Sequence, residues 1–254
     1  MALGSFPPNP SNRRAILVLH HHDVERCTYE AEASQALLDE EAYVLQFPVC
    51  TQGEPPVALQ NLLDAGLARP GAMLVQSPYE TDTYEDASLA PQRFALAKHM
   101  YFSTLCMYLG AKKVSVEQIE LCTRTGKTFF DVKASRLGGN AKISSESDEL
   151  DRLRAQLNLC DEFTGGAPDT ATAERLLRRT GLWSDPNMRS LIEMRRDSSN
   201  QLMTRRLVLS LSSEASRNLK VIGRLKIPQF VLQANYEKIA KEEYEYKLTV
   251  TVQF

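Results

Sequence analysis

The first hundred residues alternate between short apolar runs and amphipathic stretches. Apolar runs of strand length occur at Ala15–Leu19, Tyr43–Phe47 and Ala72–Val75. Between them, residues 29–41 are rich in Ala, Glu and Leu, and residues 55–66 open with two prolines and end at a glycine, as helices do. The order strand, helix, strand, helix, strand predicts an α/β layer of βαβαβ type.

Apolar residues at spacings of three and four then mark the strongest helix of the sequence. The stripe starts at Phe94, continues through Tyr101 and Leu105, and ends before Gly110. This spacing places the apolar side chains on one helical face, which predicts a central core helix.

From Lys113 onwards the period changes from 3.6 to 2, which predicts strands joined by turns. The pattern indicates a hairpin over 114–135 with its turn at Arg124–Lys127, and alternation over 244–254 predicts a C-terminal strand. Helices are predicted over 149–159 and 172–180, and a third begins at Asp185-Pro186, where Asp is a favoured N-cap and Pro a favoured first helical residue.

These elements together predict an α+β fold, with an N-terminal α/β layer followed by a β-rich portion that contains long antiparallel hairpins and intervening helices. Residues 1–14 contain three prolines and no basic segment before an apolar run, so we expect a flexible arm there. We expect an acidic α/β part over 15–111 and a β-rich part over 112–254, sharing one core.

Net charge over the whole chain is −2, with 30 Lys+Arg and 32 Asp+Glu, but the charges are unevenly distributed. Residues 1–111 sum to −7 and residues 172–226 to +7. Such a basic stretch fits an acidic protein surface, including the chain's own N-terminal half or a second copy, a nucleic acid, or an anionic membrane. The candidate partner-binding residues are Arg178, Arg179, Arg195, Arg196, Arg205, Arg206, Arg217, Lys220 and Arg224.

Alternation of apolar and polar residues over 207–227 predicts an amphipathic hairpin within this basic stretch. Helices followed by such a hairpin resemble gasdermin-type pore formers in the order of elements, with no motif residue to carry across. A membrane-active, pore-forming protein that uses this hairpin is therefore one alternative function.

Acidic residues on two predicted neighbouring strands offer a second alternative. Glu117 and Glu120 lie on one strand, and Asp131 and Lys133 project to one face of the next. Two carboxylates and a lysine can hold Mg²⁺ and polarise a water molecule. The segment resembles the PD-(D/E)xK nuclease core, although Glu stands where the first Asp is expected and Asp131 where Glu is usual.

His20 and His22 end the first predicted strand, and alternate strand positions would place them on one face, as in a metal-binding pair. The five cysteines are widely spaced and contain no C-x-x-C pair, which favours free thiols in the cytoplasm. Nucleophile-elbow, zincin and dinucleotide-binding motifs are absent from the sequence.

No complete catalytic set is visible, so the sequence favours a non-catalytic binding or assembly protein. We expect it to recognise an anionic partner through the basic face of residues 172–226, or to self-associate through its opposite charges. This hypothesis requires no cofactor, and Mg²⁺ enters only with the nuclease alternative.

Overall fold

A computed structural model gives the fold of most of the chain. At residues 123, 126 and 129–131 it describes the backbone alone. The described residues are 6–29, 39–50, 53–123, 126–131, 151, 153–157, 159–197, 199, 201–225 and 245–254. The chain forms two compact units, the first comprising Met1–Pro91 and Ser213–Glu243, the second Gln92–Ser212 and Tyr244–Phe254.

A four-stranded sheet in the order β2-β1-β3-β4 organises the first unit. Strand β1 (Ala15–His20) is buried over its first five residues and pairs in parallel with β2 (Ala42–Phe47). Strand β3 (Met73–Gln76) is antiparallel to β1 and to the short β4 (Tyr84–Asp86). The first three predicted strands are therefore confirmed, but the third is antiparallel, because strand direction follows the path of the connection and not the apolar pattern.

Helices α1 (His21–Tyr29) and α2 (Val57–Asp64) belong to the same unit. Most of the helix predicted over 29–41 falls at residues 30–38, outside the described part of the chain. Residues 39–41 lead by a turn into β2.

Helix α6 (Ser213–Arg224) returns to the first unit and contacts β1 and β3. Its buried residues Ala215, Asn218, Val221 and Ile222 recur at helical spacing. The hairpin predicted over 207–227 is therefore wrong at residues 213–224, because this segment fits both periods and the helical form buries this face. Residues 226 and 227 lie outside the described residues. The pore-forming alternative depended on that hairpin, so this structure gives it no support.

Helix α3 spans Ala90–Tyr108, and its residues from Gln92 onwards belong to the second unit. Phe94, Phe102, Leu105 and Leu109 are fully buried, which confirms the predicted core helix. Across the described helices, no segment combines the length and the apolar character needed to cross a membrane.

A mixed-length antiparallel sheet in the order β6-β5-β9-β8 organises the second unit, with β7 (Cys160–Glu162) paired to β5. The long β5 (Lys113–Thr123) forms the predicted hairpin with β6 (Gly126–Asp131). Its other neighbour is β9 (Glu245–Gln253), which pairs in turn with β8 (Thr204–Leu209). The predicted C-terminal strand is thus confirmed as a central strand, with alternate residues from Tyr246 to Val252 buried.

Two further helices of the second unit are positioned by aspartate N-caps. Asp169 accepts a hydrogen bond from the Thr172 backbone N–H at the start of α4 (Thr170–Arg179). Asp185 accepts hydrogen bonds from two backbone N–H groups at the start of α5 (Pro186–Arg196), as predicted from the Asp-Pro pair. A short 3-10 helix, Leu182–Ser184, lies between α4 and α5. The observed architecture is α+β, as the sequence predicted.

Candidate anion-binding surfaces

The nine candidate basic residues divide between the two units. Arg217, Lys220 and Arg224 lie on α6 of the first unit, and the other six lie in the second unit. The first unit carries 10 Lys+Arg and 17 Asp+Glu, net −7, and the second carries 20 and 15, net +5. The polarity read from the sequence therefore persists between the folded units.

Three guanidinium groups converge on the carboxylate of Glu41 in the first unit. Arg217 donates to Glu41 Oε1 from Nε at 3.1 Å and from Nη2 at 2.7 Å. Arg224 Nη2 donates to Oε2 at 2.6 Å, and Arg14 Nε lies 3.1 Å from Oε1. We call Glu41, Arg14, Arg217 and Arg224 the Glu41 cluster.

Asp39 holds Arg224 from a second side through a bidentate pair, in which Nε and Nη2 each donate at 2.9 Å. Hydrogen bonds from Arg224 hold the pKa values of Asp39 and Glu41 below their ordinary values, against the opposing effect of burial. The hydrogen bonds to Asp39, and after them those to Glu41, raise the pKa of Arg224. The arginines of α6 are therefore compensated by acids from the N-terminal part of the chain.

Arg195 is predicted from the sequence to bind a partner, but this prediction is wrong, because the residue is buried and only 4% exposed. Its Nε donates to the Leu109 carbonyl at 3.1 Å, and Nη1 donates to the Leu202 carbonyl at 3.0 Å. The guanidinium also lies 4.4 Å from the ring centroid of Phe254. Burial lowers the pKa of Arg195, and its hydrogen-bonding capacity is directed to the interior of the second unit.

Three other arginines of the second unit are engaged by neighbouring side chains. Arg196 of α5 forms an ion pair with Glu174 of α4. Arg205 donates to the Ser190 hydroxyl at 2.9 Å. Arg206 Nε lies 2.9 Å from Glu117 Oε2.

Helix α4 carries a group of arginines that form no ion pair among the described residues. Arg175, Arg178 and Arg179 are exposed, and at spacings of three and four they share one helical face, which we call the α4 arginine face. Arg178 stacks on Trp183 with its guanidinium carbon 4.1 Å from the ring centroid, and Arg175 donates to the Thr172 hydroxyl at 2.7 Å. Within the described part of the chain, none of the three has a carboxylate oxygen within 4.0 Å.

Arg175 is absent from the candidates predicted from sequence, although the necessary signal was present. It lies three residues before Arg178 on an amphipathic helix, so helical periodicity alone places it on the same face. Lys220 of α6 is also exposed, and the described residues place no carboxylate within ion-pair distance of it.

The nuclease candidates do not assemble into a metal site among the described residues. Glu117 pairs with Arg206, whereas Glu120 Oε1 lies 3.4 Å from Lys127 Nζ. Burial of Glu120 opposes ionisation, but hydrogen bonds from Cys122 and Lys127 lower its pKa overall. The backbone of Asp131 pairs with that of Gln118. The structure describes no side chain for Asp131, and Lys133 lies outside the described residues. The two described carboxylates are thus bound by different basic side chains.

The sequence predicts His20 and His22 as alternate residues of one strand, and this prediction is wrong. Strand β1 ends at His20, and His22 lies in α1. Their rings nevertheless stack, with centroids 5.3 Å apart. His22 Nε2 lies 3.3 Å from Asp23 Oδ1. Among the described residues, no three His, Cys, Asp or Glu side chains are arranged to hold a metal ion.

The geometry therefore distinguishes two arginine-rich surfaces, one in each unit. The arginines of the Glu41 cluster form ion pairs with internal carboxylates, whereas those of the α4 arginine face form none among the described residues. Arg178 stacks on Trp183, and Arg175 donates to the Thr172 hydroxyl, which in turn donates to Asp169. Comparison of the chain with protein-family models, with curated proteins and with solved structures gave no match.

Proposed function

We propose that the protein is a non-catalytic binding protein that recognises an anionic partner through the α4 arginine face. The carrying observation is the presence of three exposed arginines on one face of α4 that form no ion pair with a described carboxylate. Arginine is suited to this role because its planar fork of donors matches carboxylate and phosphate oxygens.

Neutral anchors support the proposal further. The Trp183 ring restricts Arg178 without cancelling its charge, and the Thr172 hydroxyl, which itself donates to Asp169, restricts Arg175. A side chain that is already restricted loses less conformational entropy when it binds. The net charge of +5 on the second unit adds long-range attraction for an anion, which raises the rate of association.

Two kinds of partner carry suitable anions, an acidic protein surface and a nucleic acid backbone. The first includes the acidic unit of a second copy, since that unit carries net −7. All five cysteines are free thiols in the structure, which supports our placement of this activity in the reducing cytoplasm.

The experiment compares the wild-type chain with Arg175→Gln/Arg178→Gln/Arg179→Gln. Fluorescence anisotropy measures the binding of a labelled single-stranded oligonucleotide and of a labelled poly-glutamate peptide, each at several salt concentrations. A control variant of equal charge change, Arg93→Gln/Lys112→Gln/Lys113→Gln, alters basic residues elsewhere in the second unit.

We expect the α4 variant to lose at least about tenfold in affinity for one probe, with a shallower salt dependence, because it removes up to three contacts to anions. The control is expected to retain wild-type affinity within about twofold, since screened charges outside the interface contribute little. Light scattering at low and high salt tests self-association separately. Absence of binding to both probes together with a monomer at low salt would refute the proposal, and so would equal losses in the two variants.

A further inference from the structure

The Glu41 cluster has the composition of an oxyanion-binding site. A single carboxylate accepts hydrogen bonds from Arg217 and Arg224 at distances between 2.6 and 3.1 Å, and Arg14 Nε lies 3.1 Å from it without forming a hydrogen bond. Guanidinium groups of this kind bind carboxylate and phosphate by the same parallel N–H contacts. The donor set therefore does not by itself specify a carboxylate.

Arg14 forms the rigid back of this cluster. It is 7% exposed and lies directly before β1. Its Nη1 donates to Asn218 Oδ1 at 2.6 Å and pairs with Glu214, both residues of α6. Asn218, which is 1% exposed, in turn donates to the Gln76 carbonyl at 2.9 Å. Buried hydrogen bonds thus fix Arg14 independently of Glu41.

Arg217 and Arg224 form the open side. Their side chains are 58% and 48% exposed, whereas that of Glu41 is 18% exposed. Solvent therefore reaches the guanidinium groups while the carboxylate lies behind them. Lys220, one turn from each arginine on α6, adds a further exposed positive charge beside this opening.

We propose that Arg14, Arg217 and Arg224 form a binding site for a phosphate group, and that Glu41 of the same chain occupies it as an internal substitute for the ligand. A phosphate monoester carries about two negative charges and three terminal oxygens, so it accepts more of the available donors than one carboxylate does. The residue that occupies the site lies in the turn before β2. Displacement turns its side chain away, while Asp39 continues to hold Arg224 from its other side.

An internal competitor lowers the apparent affinity for an external ligand, because the ligand binds only to the fraction of molecules in which the site is free. Removal of the Glu41 charge is therefore expected to increase phosphate affinity, which is the opposite of what loss of a purely structural ion pair would do. This gain separates the proposal from a stabilising role alone.

The test measures the binding of inorganic phosphate and of O-phosphoserine by isothermal titration calorimetry, in chloride buffer of matched ionic strength. The variants are Glu41→Gln and a control of equal charge change, Glu54→Gln, at an exposed glutamate of the same unit. We expect Glu41→Gln to bind at least one of the probes about tenfold or more tightly than wild type and Glu54→Gln do. Tighter binding of O-phosphoserine than of inorganic phosphate would identify a phosphorylated protein segment as the source, and the reverse would identify the free ion.

A second change confirms the position of the site. Adding Arg224→Gln to Glu41→Gln is expected to abolish the gain in phosphate affinity. Adding the three α4 substitutions to Glu41→Gln is expected to leave this gain unchanged. Failure of the phosphate site can therefore be distinguished from failure of the proposed function. Where Glu41→Gln does not fold, as judged by circular dichroism, Glu41→Asp withdraws the carboxylate by one methylene and is expected to show a gain in the same direction. A folded variant that binds both probes no better than Glu54→Gln overturns the proposal, as does a gain that survives Arg224→Gln.

Discussion

Lys98 offers a sharp test of how the second unit is held together. The side chain of this lysine, in α3, is 4% exposed, and its Nζ lies 2.6 Å from Asp185 Oδ2 and 2.7 Å from the Ser210 carbonyl oxygen. It therefore connects α3 to the N-terminus of α5 and to the end of β8. The substitution Lys98→Met keeps the apolar stem and removes the charge.

Removing one partner of a buried ion pair costs about 3–5 kcal/mol, because the remaining charge stays buried without compensation. Asp185 is 13% exposed, and it keeps the hydrogen bonds that it accepts from the N–H groups of Asn187 and Met188. We therefore expect the lower end of this range, about 3 kcal/mol, for Lys98→Met. Since domains are stable by about 5–15 kcal/mol, this loss is a large part of the stability of the unit.

Urea unfolding followed by the fluorescence of Trp183 measures this loss, because the single tryptophan of the chain lies in the second unit beside Asp185. The double variant Lys98→Met/Asp185→Asn completes a mutant cycle, and we expect a coupling energy of about 1–3 kcal/mol. The control Lys113→Met removes an exposed lysine paired with Glu162, and it is expected to leave the unfolding midpoint unchanged. A coupling energy near zero, or equal shifts for Lys98→Met and Lys113→Met, would refute the reasoning.

Three further predictions concern buried or strained positions. Burial lowers the pKa of His99, so the unfolded chain binds more protons, and the stability of the second unit should fall as pH drops through about 6.5. His99→Gln should remove this pH dependence of the unfolding free energy in urea titrations, and an unchanged pH dependence would contradict the prediction. A Cβ at Gly110, where φ is +77°, would lie 2.2 Å from the Gly166 carbonyl oxygen. In thermal unfolding, Gly110→Ala should lower the free energy of unfolding by at least about 2 kcal/mol. The loss should exceed that of Gly66→Ala, whose Cβ meets open space, and equal losses would exclude the close approach to Gly166 as the cause. Arg195→Met should lower unfolding free energy by about 2 kcal/mol by leaving buried carbonyls unpaired, while oligonucleotide and poly-glutamate anisotropy stays at wild type; weakened binding would return Arg195 to the partner-binding set.

Local features of the sequence were sufficient for elements whose environment is uniform along their length. The alternation from Tyr246 to Val252 identified β9, because a strand with one buried face repeats every second residue. The spacing of Phe94, Phe102 and Leu109 identified α3, since a buried helical face repeats every 3.6 residues. The Asp185-Pro186 pair marked the start of α5, because both residues act within one turn.

Residues 213–224 show where local features were insufficient. Their apolar residues fit both a strand and a helix, and the choice depended on what they pack against. The helical form buries Val221 and Ile222 in the first unit and brings Asn218 to the Gln76 carbonyl. Contacts with residues about 140 positions away decided this element, and no local pattern encodes them.

Charge is the property in which sequence and tertiary structure contribute most distinctly. The sequence alone determined that acids concentrate in the first 111 residues and arginines in residues 172–226. Tertiary structure decided which charges cancel. Glu174 stands four residues before Arg178, the spacing of a helical ion pair, yet it pairs with Arg196 of α5 and leaves Arg178 stacked on Trp183. Because Coulomb attraction depends on distance in space and not along the chain, only the fold shows which arginines keep their charge for a partner.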